Sequence, residues 1–255
     1  MTAPINTLKY RLAEGEILHG CWVALADGYS AEIAASAGFD WLLIDGEHAP
    51  NDVRSISDQL ARVLASDTSA VVRTVDDDPA KIKQMLDLGA QTLLIPMVES
   101  AAQAERIYRA TRYAPEGHRG VGAALTRSTR FGAIANYEQT ANDEICLIVQ
   151  IESRAGLAAL DAIAATNGID GIFIGPADLA ADMGYPGNQA APEVQAAIMD
   201  ALTRIRAAGL AAGMVGMDPI FVETCKQAGA NFVGVGIDVL VFANAMRALA
   251  KNYRR

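Results

Sequence analysis

Eight short stretches of the chain are almost unbroken in apolar residues: "GCWVAL" (20–25), "WLLID" (41–45), "AVVR" (70–73), "TLLIPM" (92–97), "CLIVQI" (146–151), "GIFIG" (171–175), "AAGMV" (211–215) and "FVGVG" (232–236). A strand with one face in water alternates apolar and polar residues, so continuous runs of this length predict parallel strands covered on both faces. Between them the apolar positions recur with helical period, and the segments start with helix signals. Asn51 or Asp52 caps one helix, Asp78 precedes Pro79 at the first position of another, and Pro192 opens a third. Gly89, Gly209 and Gly229 stand where helices should stop. The repeating unit is strand then helix, eight times over. It predicts an α/β fold, a closed (β/α)8 TIM barrel spanning residues 1–255 as one domain.

One connection breaks the rhythm. After a helix expected around 99–112, about thirty residues that include "PEGHRGVGAALTRSTRFG" precede the fifth strand, a length that predicts a segment lining a site or an interface, with a plain surface excursion as the alternative. His118, Arg119, Arg127 and Arg130 lie in it and face either an anionic ligand or solvent.

Composition narrows the partners. The chain has 255 residues, 51% of them hydrophobic, and a net charge of -9, which disfavours nucleic acid and anionic membranes. The opening "MTAPINTLKYRLAEGEILHG" lacks the apolar core of a signal peptide, and no run approaches the ~20 apolar residues that span a bilayer, so the expected location is cytoplasmic. Cys21, Cys146 and Cys225 are odd in number, far apart and set in apolar surroundings, which predicts buried thiols rather than disulfides or a zinc site.

In a barrel of this type the chemistry sits at the C-terminal ends of the strands. The second strand ends in Asp45 and leads to Glu47 and His48; the third ends in Arg73; the fourth leads to Glu99; the fifth ends in Gln150 and leads to Glu152; the sixth leads through "GPAD" to Asp178. Each residue also has a plainer reading: Glu99 and Asp178 as helix starts, Asp45 in a turn, Arg73 in a mouth-closing ion pair, His48 as a structural histidine. Five strand ends carrying such groups in one layer favour a site. Glu152 and Asp178, from adjacent strands, form a carboxylate pair whose repulsion is relieved by a raised pKa or by a hard divalent cation, Mg2+ or Mn2+, acting as Lewis acid. None of the five lysines falls at a strand end, which disfavours Schiff-base chemistry. The turns "GMVGMD" and "GVGID" also fit a phosphate cradle, which would make the barrel an isomerase.

With these residues assembled, the chain resembles the HpcH/HpaI family of metal-dependent, pyruvate-using aldolases. The resemblance runs from about Trp22 to the last helix and is carried by "WLLIDGEHAPND", "VVR", "LLIPMVES", "RGVG", "QIES", "GPADL" and "GVGID" in order. It is similar to the 4-hydroxy-2-oxoheptanedioate aldolases, with sugar-acid aldolases close behind and citramalyl-CoA-type lyases more distant. The resemblance implies retro-aldol cleavage of 4-hydroxy-2-oxo acids to pyruvate and an aldehyde through a metal-stabilised enolate. Glu152 and Asp178 would bind the metal (Mg2+, Mn2+ or Co2+), and no organic cofactor is expected. Arg73 would neutralise the enolate oxygen, Gln150 would hold a water or substrate oxygen, and backbone near Ala177 would take the pyruvate carboxylate. His48 would move the 4-hydroxyl proton, oriented by Asp87 of a neighbouring subunit, and Asp45 would shape the aldehyde side. Trp22 and Val215 would line the pyruvate pocket, Val215 standing where relatives often carry Leu and so implying tolerance of larger 2-oxo acids. The family is typically hexameric, which implies a homo-oligomer with the last helix, "VLVFANAMRALAKNY", exchanged between subunits.

Overall fold

Within the eight apolar runs, alternate residues turn to opposite sides, and this parity builds the molecule. In the computed structural model, which describes residues 1–253, Trp41 and Leu43 enter an inner cluster while Leu42 and Ile44 enter an outer one. The runs become β1 (Leu18–Val23), β2 (Trp41–Asp45), β3 (Ser69–Arg73), β4 (Thr92–Ile95), β5 (Cys146–Ile151), β6 (Gly171–Ile174), β7 (Ala211–Val215) and β8 (Phe232–Ile237). All are parallel, each paired with its sequence neighbours, and β8 closes on β1 as a (β/α)8 barrel. Trp22, Trp41, Phe173 and Phe232 fill the interior, Trp41 stacked on Phe232 with ring centroids 4.1 Å apart. Gly20 makes room for Trp41, since a Cβ there would overlap the indole.

The outer layer consists of α2 (Gly28–Ala35), α3 (Val53–Val63), α4 (Pro79–Asp87), α5 (Ala101–Thr111), α7 (Arg154–Ala164), α9 (Pro192–Ala207) and α10 (Pro219–Gln227), with the short α8 (Pro176–Asp182) after β6 and α11 (Asp238–Lys251) after β8. A further helix, α1 (Thr7–Ala13), sends Leu8 and Leu12 into the inner cluster from below β1. Asp52 rather than Asn51 caps α3, in a reciprocal capping box with Ser55. Asp78 caps α4 ahead of Pro79, and Gly89, Gly209 and Gly229 all adopt the left-handed conformation that stops a helix.

Three strands end earlier than the apolar pattern predicts, β6 by the single residue Gly175. β1 covers 18–23 rather than 20–25, because the N–H groups of Ala24 and Leu25 are taken by the Asp238 carboxylate at 2.8 and 3.3 Å. β4 stops at Ile95, because Pro96 has no N–H to pair and Met97 turns to a φ of 56°, its N–H donating to Glu152 Oε1 at 2.9 Å.

The long connection, residues 112–145, holds one 3-10 turn (Arg127–Thr129) and the short α6 (Tyr137–Thr140). It does not line the mouth of its own barrel. Helices run back against the strands, so a helix-to-strand connection begins and ends at the N-terminal end, although His118 shares a cavity with Asp76, Asp77 and Asp78 of the loop after β3. Arg127 Nη1 donates to Leu88 O, Arg119 pairs with Asp87 at the end of α4, and the Asn136 N–H reaches Met1 O. Arg119 is therefore neither at an anion site of this mouth nor in solvent; it is buried and lies 4.4 Å over the Tyr113 ring.

Candidate active site

The inward rows of the strands end in polar residues, and that is how the fold gathers them. Asp45 continues the row of Trp41 and Leu43; Arg73 continues that of Val71; Gln150 continues that of Cys146 and Ile148, with Glu152 next in step. Register then sets neighbours, since Asp45 lies directly beside Arg73 and Gln150 beside Phe173. These side chains face a cavity of about 470 Å³ at the C-terminal mouth, lined also by Trp22, His48, Ala177, Asp178 and Val215. Of the strand-end groups, Glu47 lies behind Arg73 and Glu99 accepts from Ser153 Oγ outside the cavity, while Asp87, expected to serve a neighbouring subunit, sits at the far end of α4 against Arg119.

Arg73 is the hub. Its Nε and Nη2 donate to Asp45 Oδ1 and Oδ2 at 2.9 and 2.7 Å, and its Nη1 lies 2.8 Å from Glu47 Oε2. The latter is an ion pair rather than an aligned hydrogen bond, for Glu47 Oε2 is buried with no donor along a bonding direction. Burial pushes Asp45 up, but the hydrogen bonds and charge of Arg73, helped by the N–H groups of Glu47 and His48, hold it below the usual carboxylate range. Burial raises Glu47, opposed by Arg73 and His48.

Glu152 is 3% exposed, and burial pushes it up to about 7, against hydrogen bonds from Gln150 and from the Met97 N–H. Gln150 Nε2 donates to Glu152 Oε2, which leaves the buried Gln150 Oε1 without a partner. Gly175 has to be glycine here, because a Cβ would overlap Glu152 Oε2. A carboxylate held so far above its ordinary range calls for a proton or a cation. With Asp178 on the same cavity and an orphaned amide oxygen alongside, the donor set is all oxygen and suits a hard divalent ion completed by water. Among the described residues no cluster of three or more His, Cys, Asp or Glu side chains forms a closed metal cage, so such an ion would keep open positions.

Other sequence expectations resolve at this level. No lysine lines the cavity among the described residues. Gly234 and Gly236 lie against Trp22 and Cys21, so close packing accounts for both glycines of the eighth strand and leaves the phosphate reading without support there. All three cysteines are free and buried, with Cys21 pushed up to about 11 and Cys225 to about 12 by burial. Sequence reasoning missed Ile237, Val239 and Leu240, which line the cavity from the end of β8 and the start of α11. Following the eighth strand past its end, as for the second to sixth, points to them.

A family model described as HpcH/HpaI aldolase/citrate lyase matches residues 18–245. The chain belongs to that family. It is 54% identical to a hydroxypyruvate/pyruvate aldolase of Roseovarius nubinhibens, over 100% of this chain and 99% of the relative. It is 51% identical to a 2-keto-3-deoxy-L-rhamnonate aldolase of Salmonella gallinarum, over 94% of this chain and 90% of the relative. An HpcH/HpaI aldolase/citrate lyase family protein from Burkholderia cenocepacia superposes with a TM-score of 0.93 at 38% identity, covering 98% of this chain and 100% of that one. Among the described residues no helix is long and apolar enough to cross a membrane.

Proposed function

We propose that this chain is a metal-dependent class II aldolase that makes and breaks the C3–C4 bond of 4-hydroxy-2-oxo acids, with pyruvate or hydroxypyruvate as the 2-oxo acid partner. The observation that carries the reading is the buried Glu152, raised to about 7, with Asp178 and an unpartnered Gln150 Oε1 beside an arginine in one apolar-walled cavity. Glu152 and Asp178 would hold Mg2+, Mn2+ or Co2+, which when bound supplies the Lewis acidity that makes a C3 proton of a 2-oxo acid removable. Arg73 presents fixed positive charge toward the oxygen on which the enolate charge develops, already oriented by Asp45. The free N–H groups in the first turn of α8, at Ala177 and Asp178, suit the substrate carboxylate. His48, at the rim with its side chain 65% exposed, takes the 4-hydroxyl proton during cleavage. Trp22 and Val215 wall the donor side, and Val215 leaves room for a substituent on C3, as a hydroxyl there requires.

The acceptor is best read as a neutral aldehyde. Arg73 is the one arginine or lysine lining the cavity among the described residues, and it is already shared by Asp45 and Glu47. Arg127 and Arg130, which the sequence offered to an anionic ligand or to solvent, belong to the connection at the other end of the barrel. A sugar-acid substrate, whose aldehyde half carries hydroxyls, therefore ranks above 4-hydroxy-2-oxoheptanedioate, whose aldehyde half carries a carboxylate. Homo-oligomerisation with exchange of α11, up to the hexamer of the family, is supported by the exposed Val241, Phe242, Met246 and Leu249 on that helix.

The test is exchange of pyruvate C3 protons in D2O, followed by NMR on metal-stripped protein with and without Mg2+ or Mn2+, beside Glu152→Ala. Exchange that needs metal and is lost in the variant is expected. Metal-independent exchange, or none with any metal, sinks the reading.

A further inference from the structure

Resting on the aldolase reading above, we propose that Glu47 is a positioning residue of the proton-transfer step: its carboxylate, set between Arg73 and His48, orients the His48 imidazole and balances the charge that ring acquires.

The local chain is built to put it there. Gly46 donates its N–H to Arg73 O at 2.9 Å, and a Cβ at Gly46 would come within 2.6 Å of that oxygen, so the chain leaving β2 lies flat against the end of β3. The N–H groups of Glu47 and His48 both approach Asp45 Oδ1, at 3.0 and 3.4 Å, and Asn51 Nδ2 donates to Asp45 O at 2.8 Å. One carboxylate thus holds the backbone of both residues and the guanidinium of Arg73. Glu47 Oε2 then lies 2.8 Å from Arg73 Nη1 and 3.7 Å from His48 Nε2. Asp45 and Asp178 are the other charges that act on it.

A buried carboxylate oxygen without an aligned donor is costly unless a partner completes it. The His48 ring is the mobile group within reach, because its side chain is 65% exposed and Glu47 is the charged side chain it meets. A separation of 3.7 Å is too long for a hydrogen bond, and a small rotation of a rim histidine closes it as substrate binds. With Nε2–H aimed at Glu47, Nδ1 carries the free pair toward the cavity. In cleavage the 4-hydroxyl proton passes to that pair and the O–H electrons become the second C4–O bond of the aldehyde. The C3–C4 electrons become the C2=C3 bond, and the C2=O pair moves onto oxygen beside Arg73. The imidazolium so formed stands against the Glu47 carboxylate.

A double-mutant cycle tests this, with condensation of pyruvate and glycolaldehyde as the reaction and pyruvate C3 exchange as the control. Glu47→Gln, nearly isosteric, is expected to lower kcat about 10- to 100-fold with the KM for pyruvate within about threefold, and Glu47→Asp to recover part of the loss. On a His48→Ala background Glu47→Gln should cost less than about twofold, since a residue acting through His48 has nothing left to act on. The same factor in both backgrounds, or an unchanged kcat in Glu47→Gln, overturns the proposal. So does a cycle in which Asp87→Asn couples to His48 and Glu47→Gln does not. Absence of C3 exchange in the unmodified enzyme is a different result: it removes the aldolase reading on which the assignment stands.

Discussion

Asp45 shows how much a single residue depends on parity. One position earlier on β2 it would face the helices beside Ile44; where it stands, it follows Trp41 and Leu43 inward and meets Arg73 across the sheet. Arg73→Lys keeps the charge but not the fork that spans two carboxylate oxygens, so kcat/KM is expected to fall about 100-fold by aldol assay, and the thermal midpoint to fall by calorimetry because the buried bridge is disrupted. Asp45 titrates below its ordinary value in the fold, so its bridge contributes stability that is complete above about pH 4, the unfolded value, and is lost as pH falls through the lowered one. Urea midpoints should therefore decline more steeply below about pH 4 in the parent than in Asp45→Asn. A parallel decline in both would count against the bridge. The residue types of the site were legible in the sequence because they stand directly after apolar runs. The orphaned Gln150 Oε1 and the Arg73–Glu47 pair were not, since they depend on side-chain geometry across three strands.

At the scale of elements, strand ends are set by where backbone N–H groups find partners, and two of those partners are carboxylates distant in sequence. Asp238 at the start of α11 takes the N–H groups of Ala24 and Leu25, and Glu152 takes that of Met97. This is why β1 and β4 stop short of their apolar runs, a result no window of local sequence contains. Asp238→Ala leaves the Ala24 and Leu25 N–H groups without their acceptor and is expected to cost about 1–3 kcal/mol, read from urea unfolding. A loss below about 0.5 kcal/mol would mean that water replaces the carboxylate without penalty. Helix starts were easier to read, because caps are local: Asp52 and Asp78 accept from N–H groups two or three residues on.

For the whole molecule, the two ends of the barrel divide the labour. The C-terminal mouth collects Asp45, Glu47, Glu152 and Asp178 around one arginine, while Arg119 and Arg127 of the long connection brace the opposite end. A neutral hydroxyaldehyde should thus be used at least about tenfold better, by kcat/KM, than succinic semialdehyde, and Leu240→Arg at the rim should narrow that gap. Equal use of the two acceptors would show that a cation reaches the mouth from elsewhere. α11 has no buried residue, and its exposed Phe242 is expected to be covered in solution. Phe242→Asp should lower the mass measured by light scattering without changing the circular dichroism of the barrel.

The eight-fold strand and helix repeat, the chemistry waiting at the strand ends and the family are legible along the chain, because apolar runs, caps and ordered motifs are properties of sequence neighbours. Closure of the fold was needed to place Arg119 and Arg127 of the long connection at the opposite end, Asp87 away from its own chain's cavity, and Glu47 between Arg73 and His48. The physical reason is closure. Pairing β8 with β1 fixes the register of every strand between them, and register converts a position in the sequence into a place in space.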